Sequence, residues 1–147
     1  MHLTLTIPAE PIAQGRPRFS SRGGFVRAYD PKKSKDWKAF IADFASRCME
    51  EQGYDKPTDV PLKVRARFAF SLPKSRWRKR SPVEAQWRSQ KPDLDNLFKA
   101  VTDACEGIVY HNDSQIVKVV IEKIMVAQGE APYVAVVFES AGELHGA

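Results

Sequence analysis

Apolar and polar residues follow two rhythms along this chain. "HLTLTIP" alternates Leu3, Leu5 and Ile7 with polar positions, which predicts a short strand closed by Pro8 and Pro11. "VPLKVRARFAF" sets Leu62, Val64, Ala66, Phe68 and Phe70 against Lys63, Arg65 and Arg67, a strand with one wet, basic face. Two β-branched runs, "IVKVVIEKIMV" from Ile116 and "YVAVVFE" from Tyr133, are joined by the turn-like "AQGEAP" and predict an antiparallel pair. Helical spacing governs two other stretches. Trp37, Phe40, Ile41, Phe44 and Cys48 form one stripe, with Ser34 as its cap and Gly53 just past its end. Leu94, Leu97, Phe98, Val101, Ala104, Cys105 and Ile108 form the other, with Gly107 as the stop signal.

The remaining segments lack a clean period. Gln14 to Pro31 is rich in Gly, Arg and Ser and reads as a mobile basic arm, a loop or irregular hairpin. The segment after Pro73, interrupted by Pro82 and Pro92, reads as a long loop with a helical turn around Glu84 to Arg88. The tail from Ser140 is expected to fray. The order of main elements is β-α-β-α-β-β, an α/β fold with a mixed sheet and two main helices.

Length and composition bound the picture. With 147 residues, 43% of them hydrophobic, the chain suits one domain spanning residues 1–147. It carries no signal-like start and no apolar run of membrane length, so a soluble, cytoplasmic protein with no membrane partner is expected. Cys48 and Cys105 show no metal-ligand spacing and fall on the helical stripes, as buried thiols do.

Charge changes the picture more than composition does. The net charge is +5, yet Gln14–Lys38 and Lys74–Lys91 together hold 15 basic and 3 acidic residues, leaving 8 basic and 15 acidic elsewhere. A single basic run is as often a plain solvated face. Two runs flanking an acidic cluster point to a phosphate-bearing partner.

That cluster lies in "KPDLDNLFKAVTDACEGIVYHNDSQ". Residues i and i+2 of a helix point about 200° apart, so Asp93 and Asp95 can converge only by straddling the helix start, with Asp93 still extended. Asp95 then lies in the first turn, where the helix dipole favours an anion. Asp113 would close the set from the loop before the next strand. Three carboxylate oxygens on one spot suit Mg²⁺ or Mn²⁺, with water and substrate phosphate completing the shell. Taken singly, each has a plainer role: a cap for Asp93 or Asp95, an Asn-Asp turn for Asp113. The basic "RSQKP" before the motif argues against an aspartyl phosphotransferase, whose D-x-D ends an apolar strand, and a sugar-nucleotide transferase needs a larger fold.

"PDLDNLFKAVTDA" and "GIVYHNDSQIV", with the upstream "GRPR", resemble the RusA family of Holliday-junction resolvases of bacteria and phages, closely over Lys91 to Val120. The resemblance implies a homodimeric, Mg²⁺-dependent endonuclease acting in recombination and repair, placing paired symmetric nicks in four-way or branched DNA within a bacterial or phage-infected cell. It assigns the catalytic carboxylates to Asp93, Asp95 and Asp113 and a functional lysine to Lys99. The chain departs at Asn112, where many members are acidic. Lys99 also stands four residues after Asp95, the spacing of an ordinary helix ion pair. Asp103 reads as a helix-surface residue and His111 as a structural one.

Arg16, Arg18, Arg76, Arg78, Lys79 and Arg80 are the candidates for phosphate contacts, since guanidinium forks match phosphate oxygens. Trp77 and Trp87 interleave with them and suit either base stacking or burial. Two other readings stay open: a non-catalytic branched-DNA binder, and a metal nuclease of broader taste for flaps or single strands.

Overall fold

The computed structural model describes residues 1–15, 18–20, 27–29 and 32–146. The alternating segments become β1 (His2–Ile7) and β4 (Leu62–Phe70), with Leu3, Leu5, Ile7, Leu62, Val64 and Phe68 buried as their period demands. The two β-branched runs become β6 (Ile116–Met125) and β7 (Tyr133–Ser140). The helices are α1 (Lys32–Glu51) and α2 (Leu94–Cys105). Both pack on the face of the sheet that presents the apolar rows, α1 against β1 and α2 against α1 and β6. An α/β mixed sheet with two helices in the order β-α-β-α-β-β is therefore what the chain forms.

Three short strands add to that order. β2 (Arg18–Ser20) and β3 (Arg27–Tyr29) pair antiparallel as a separate ribbon within the basic arm. β5 (Gln86–Trp87) pairs with Met125 and Ile124 of β6 at the sheet edge, where a helical turn was expected. A 3-10 turn forms earlier, at Lys74–Arg76. Pairing with β6 satisfies backbone groups that an isolated turn between two prolines would leave to water.

The sheet order is β1-β7-β4-β6-β5, so β6 and β7 are not neighbours as expected; β4 lies between them. β4 pairs parallel with β6 and antiparallel with β7. The β4-α2-β6 crossover claims the place beside β4 for β6, and β7 takes the opposite side. Residues 127–132 can extend about 20 Å, ample for the roughly 10 Å separating strands two places apart.

Two further expectations shift. Ser34 lies inside α1 rather than capping it, and its buried hydroxyl accepts the Gly15 N–H at 3.2 Å. The buried stripe of α1 is Ser34, Trp37, Ile41, Ala45 and Met49; Phe40 is 40% exposed and Phe44 half-buried. Phe40 stacks on Trp37 at 6.0 Å and meets Phe44 edge-on at 5.0 Å, so the aromatics pack along the flank. Cys105 is buried as expected, whereas Cys48 is only half-buried.

The outer rim of β1 is closed by the segment following α1. Gln52 Oε1 accepts from the Thr4 N–H and its amide donates to the Thr4 carbonyl, while the Tyr54 hydroxyl serves both backbone groups of His2. On the sheet face away from the helices, Arg67 pairs with Glu122 at 2.5 Å. Among the described residues no helix is long and apolar enough to cross a membrane.

Candidate active site

The approach to α2 fixes its acidic start. Lys91-Pro92 is cis, and α2 begins at Leu94 with Asp93 as its N-cap in extended geometry, φ −71° and ψ 148°. The Asp93 carbonyl accepts from the Leu97 N–H at 3.2 Å, but its carboxylate makes no capping hydrogen bond. Asp95 lies in the first turn, and both carboxylates are exposed. The two thus straddle the helix start, and the side chain of Asp93 is not spent on a cap.

Three successive carbonyls before Asp93 are held by cations. Lys123 Nζ donates to Gln90 O at 2.6 Å and to Pro92 O at 2.8 Å, and Arg88 Nη2 donates to Lys91 O at 2.7 Å. The Arg88 guanidinium also lies over the Phe70 ring at 4.2 Å. Lys123 pairs with Phe68 in the strand register, an inward position where alternation calls for an apolar residue. A cation half-removed from water there is offset by the carbonyls it binds. Sequence reasoning missed this clamp; the signal was one lysine standing within the inward, apolar row of β6.

The clamp predicts a measurable effect. Asp93 has no cap bond of its own, so the backbone before it sets where its carboxylate points. Lys123→Met should weaken Mn²⁺ binding by about tenfold, the usual effect of losing an orienting partner, whereas Lys118→Met removes the same charge from the same strand and should not. Mn²⁺ titration followed by electron paramagnetic resonance checks both.

Lys99 does not pair with Asp95. Its ammonium lies 3.5 Å from Asp103 Oδ1, one turn further along, so the expected Asp95–Lys99 pair gives way to Lys99–Asp103. Asp95 stands in the first turn without Lys99, where the helix dipole favours an anion.

Asp113 stands at the other end of α2. It opens a 3-10 turn, Asp113–Gln115, capped by Asn112, whose side-chain oxygen accepts from the Ser114 N–H at 2.9 Å. Asn112 therefore serves the turn. Gln115 Oε1 accepts from the N–H groups of His111 and Asn112, and its amide donates to the Thr58 and Val60 carbonyls. The Asn-x-x-Gln spacing is a capping-box pattern that the sequence carried openly. Asp113 is anchored on two sides: Tyr110 Oη lies 3.0 Å from its Oδ1 and 2.6 Å from Thr102 O, and its own N–H meets Glu106 Oε1 at 3.2 Å.

Tyr110 is fully buried, and burial, then its neighbours Cys105 and the Asp113 carboxylate, push its pKa up, so it stays a donor at working pH. Burial, then Asp113, pushes the Cys105 thiol up to about 12, keeping it neutral beside Asp113. Tyr110→Phe should lower the melting temperature by about 2–4 °C, as expected for the loss of about 1 kcal/mol of hydrogen bonding. It should also slow catalysis about tenfold by releasing Asp113. Calorimetry and a nicking assay check the two parts.

The geometry separates the three carboxylates. α2 rises about 1.5 Å per residue, which puts the levels of Asp95 and Thr102 about 10 Å apart. Oxygens sharing one Mg²⁺ lie about 2.1 Å from the ion. Among the described residues no group of three or more His, Cys, Asp or Glu side chains is gathered to hold a metal. As a crossover helix, α2 runs opposite to β6, so its acidic start and the Asp113 turn fall at opposite ends.

Arg76, Arg78, Lys79 and Arg80 are exposed on the loop after β4. Arg76 reaches back to Met125 Sδ at 3.6 Å and Gln86 Oε1 at 3.5 Å, and Gln128 brackets both backbone groups of Arg78. Trp87 is 73% exposed on β5; Trp77 is 43% exposed and donates from its indole to Leu72 O. Arg16 and the side chain of Arg18 lie outside the described residues. The chain leading to them is docked, since the Gln14 N–H donates to Asn96 O on α2 at 2.9 Å. His111 is exposed, with its backbone N–H held by Gln115.

Comparison with known proteins bears on the same region. The family described as Endodeoxyribonuclease RusA matches residues 8–137. Uncharacterized protein YqaN of Bacillus subtilis (strain 168) is 37% identical over 122 residues, covering 82% of this chain and 86% of the relative. Crossover junction endodeoxyribonuclease rusA of Lactococcus phage r1t is 37% identical over 119 residues, covering 78% and 80%. The match takes in the whole β4-α2-β6 crossover with its acidic start, clamp and Asp113 turn, and the chain belongs to the RusA family of endodeoxyribonucleases.

Proposed function

We propose that this nuclease resolves four-way DNA junctions by paired nicks, using a divalent metal and serving recombination and repair. The observation that carries this reading is the uncommitted Asp93 carboxylate, beside Asp95, at the positive end of α2. A helix needs one acidic cap at most, and neither side chain is used as one. Asp93 and Asp95, both exposed at the helix start, offer the hard oxygens that suit Mg²⁺ or Mn²⁺, and Asp113 offers the same chemistry at the other end of α2.

When bound, the cation supplies positive charge at the scissile phosphate and acidifies water there. The chain's own residues do the rest. Asp93 and Asp95 form one half of the donor set and Asp113 the other, held in direction by Tyr110 and Glu106. Lys99, on the exposed face of α2 behind Asp95, places a cation where charge builds on the phosphate. Arg76, Arg78, Lys79 and Arg80, with Arg16 and Arg18, hold the backbone of the branched DNA. Trp87 offers a stacking face to a base exposed at the branch. Nicks in two opposed strands need two sites, so the working form is a homodimer.

Labelled four-way junction, flap, duplex and single strand, each with Mg²⁺ and with EDTA, test the reading. Nicking of the junction in preference to the others supports it. Equal cutting of flaps or single strands favours a broader nuclease, and binding without cutting favours a branched-DNA binder. Affinity should fall steeply with salt: about six phosphate contacts give a slope near −5 for log K against log salt. Filter binding across a salt series checks this, and a flat response removes the basic segments from the interface.

A further inference from the structure

We propose that the active site is composite, with Asp93 and Asp95 of one protomer facing Asp113 of the partner subunit across the open edge of β6. This rests on those carboxylates being the catalytic ones. Within one chain they do not meet: Pro92, next to Asp93, is tied to Lys123 near the end of β6, whereas Asp113 is tied through Tyr110 to Thr102, near the far end of α2. A second copy resolves the separation by symmetry. A two-fold axis running beside the open edge of β6, level with the middle of α2, sets the start of one helix beside the end of the other, and does so twice. Each acidic pair then faces the partner's anchored aspartate, giving two equivalent sites.

β6 shows where the copies join. β5 covers only Ile124 and Met125, and the Arg88 N–H reaches Lys123 O, so among the described residues Ile116–Glu122 has no strand on its outer side. That open stretch exposes Val117 at 61%, Val119 at 41% and Val120 at 52%. Exposed β-branched residues on an unpaired edge invite a further strand. Val119 faces the helix side in the register that pairs Val64 with Val119, close in the strand to the exposed Val117. Antiparallel pairing of two β6 edges would cover them and bring the two α2 helices side by side in opposite directions. The same contact therefore closes the edge and completes the site.

Complementation tests the arrangement. Asp95→Asn and Asp113→Asn chains are co-expressed with different tags, and the mixed dimer is isolated by successive purification on both. One of its sites carries both changes and the other carries neither. Each variant alone should lose nicking and tight Mn²⁺ binding. The mixed dimer should regain about half the wild-type nicking and half the Mn²⁺ stoichiometry read by electron paramagnetic resonance. A mixed dimer as inactive as its parents places all three carboxylates in one chain and overturns the proposal. Parents that nick normally remove the carboxylates from catalysis, and the composite site with them. Val119→Lys should sediment as a monomer and lose both readouts while keeping its far-ultraviolet spectrum. A dimeric, fully active Val119→Lys overturns the β6 contact.

Discussion

Asp95→Asn is expected to cut junction nicking by about a hundredfold or more while the protein stays folded. The substitution keeps the shape of the side chain and removes one charge. Were Asp95 only a charge favoured by the helix dipole, its loss would cost about 0.3–1 kcal/mol and leave nicking intact. As a metal ligand it loses donor strength at the reacting phosphate, and the rate falls instead. Junction affinity should hold or rise, because the substituted site repels phosphate less. Asp93→Asn and Asp113→Asn should behave alike, whereas Asp103→Asn should nick nearly normally, losing only the exposed Lys99 pair, worth about 0.3–0.5 kcal/mol. Nicking rates, junction affinities and thermal melts of the four variants decide the matter. Near-normal nicking by Asp95→Asn would sink the catalytic assignment.

Metal exchange should separate binding from cutting just as sharply. With Mg²⁺ the junction should be nicked, and with EDTA nicking should vanish. Ca²⁺ carries the same charge but takes looser, longer coordination, so it should support junction binding with little hydrolysis. Gel shifts and nicking assays on one junction under the three conditions check this. Efficient cleavage in EDTA would contradict the metal reading outright.

The local rhythms carried most of the fold. β1 and β4 follow strict alternation, and α2 begins between two aspartates because residues i and i+2 cannot share a helical face. What period cannot encode is which strand lies beside which. The runs after Ile116 and Tyr133 look like a hairpin, yet the crossover through α2 seats β6 against β4 and sends β7 to the far side. The stripe of α1 was displaced for a related reason: Phe40 and Phe44 match helical spacing, but Ala45 and Met49 are the side chains that face inward.

The geometry at the start of α2 was legible in the sequence, and its relation to Asp113 was not. Asp93 and Asp95 stand where the sequence placed them, but the expected convergence with Asp113 treated the return loop as coming back to the helix start. A crossover helix delivers it to the other end. Lys123 and Tyr110 were missed for a different reason, since neither a lysine in a β6 row nor a tyrosine after α2 reveals its role until its partners are known.

The clasp that Gln52 and Tyr54 place on β1 has a consequence for stoichiometry. A sheet with two bare rims can recruit copies without end, as filaments do. Here the N–H and C=O groups of His2 and Thr4 are already taken, leaving β6, among the described residues, as the rim open to another chain. Under the β6 pairing proposed above, growth along the sheet would proceed in one direction only, and a two-fold contact would exhaust it at two copies.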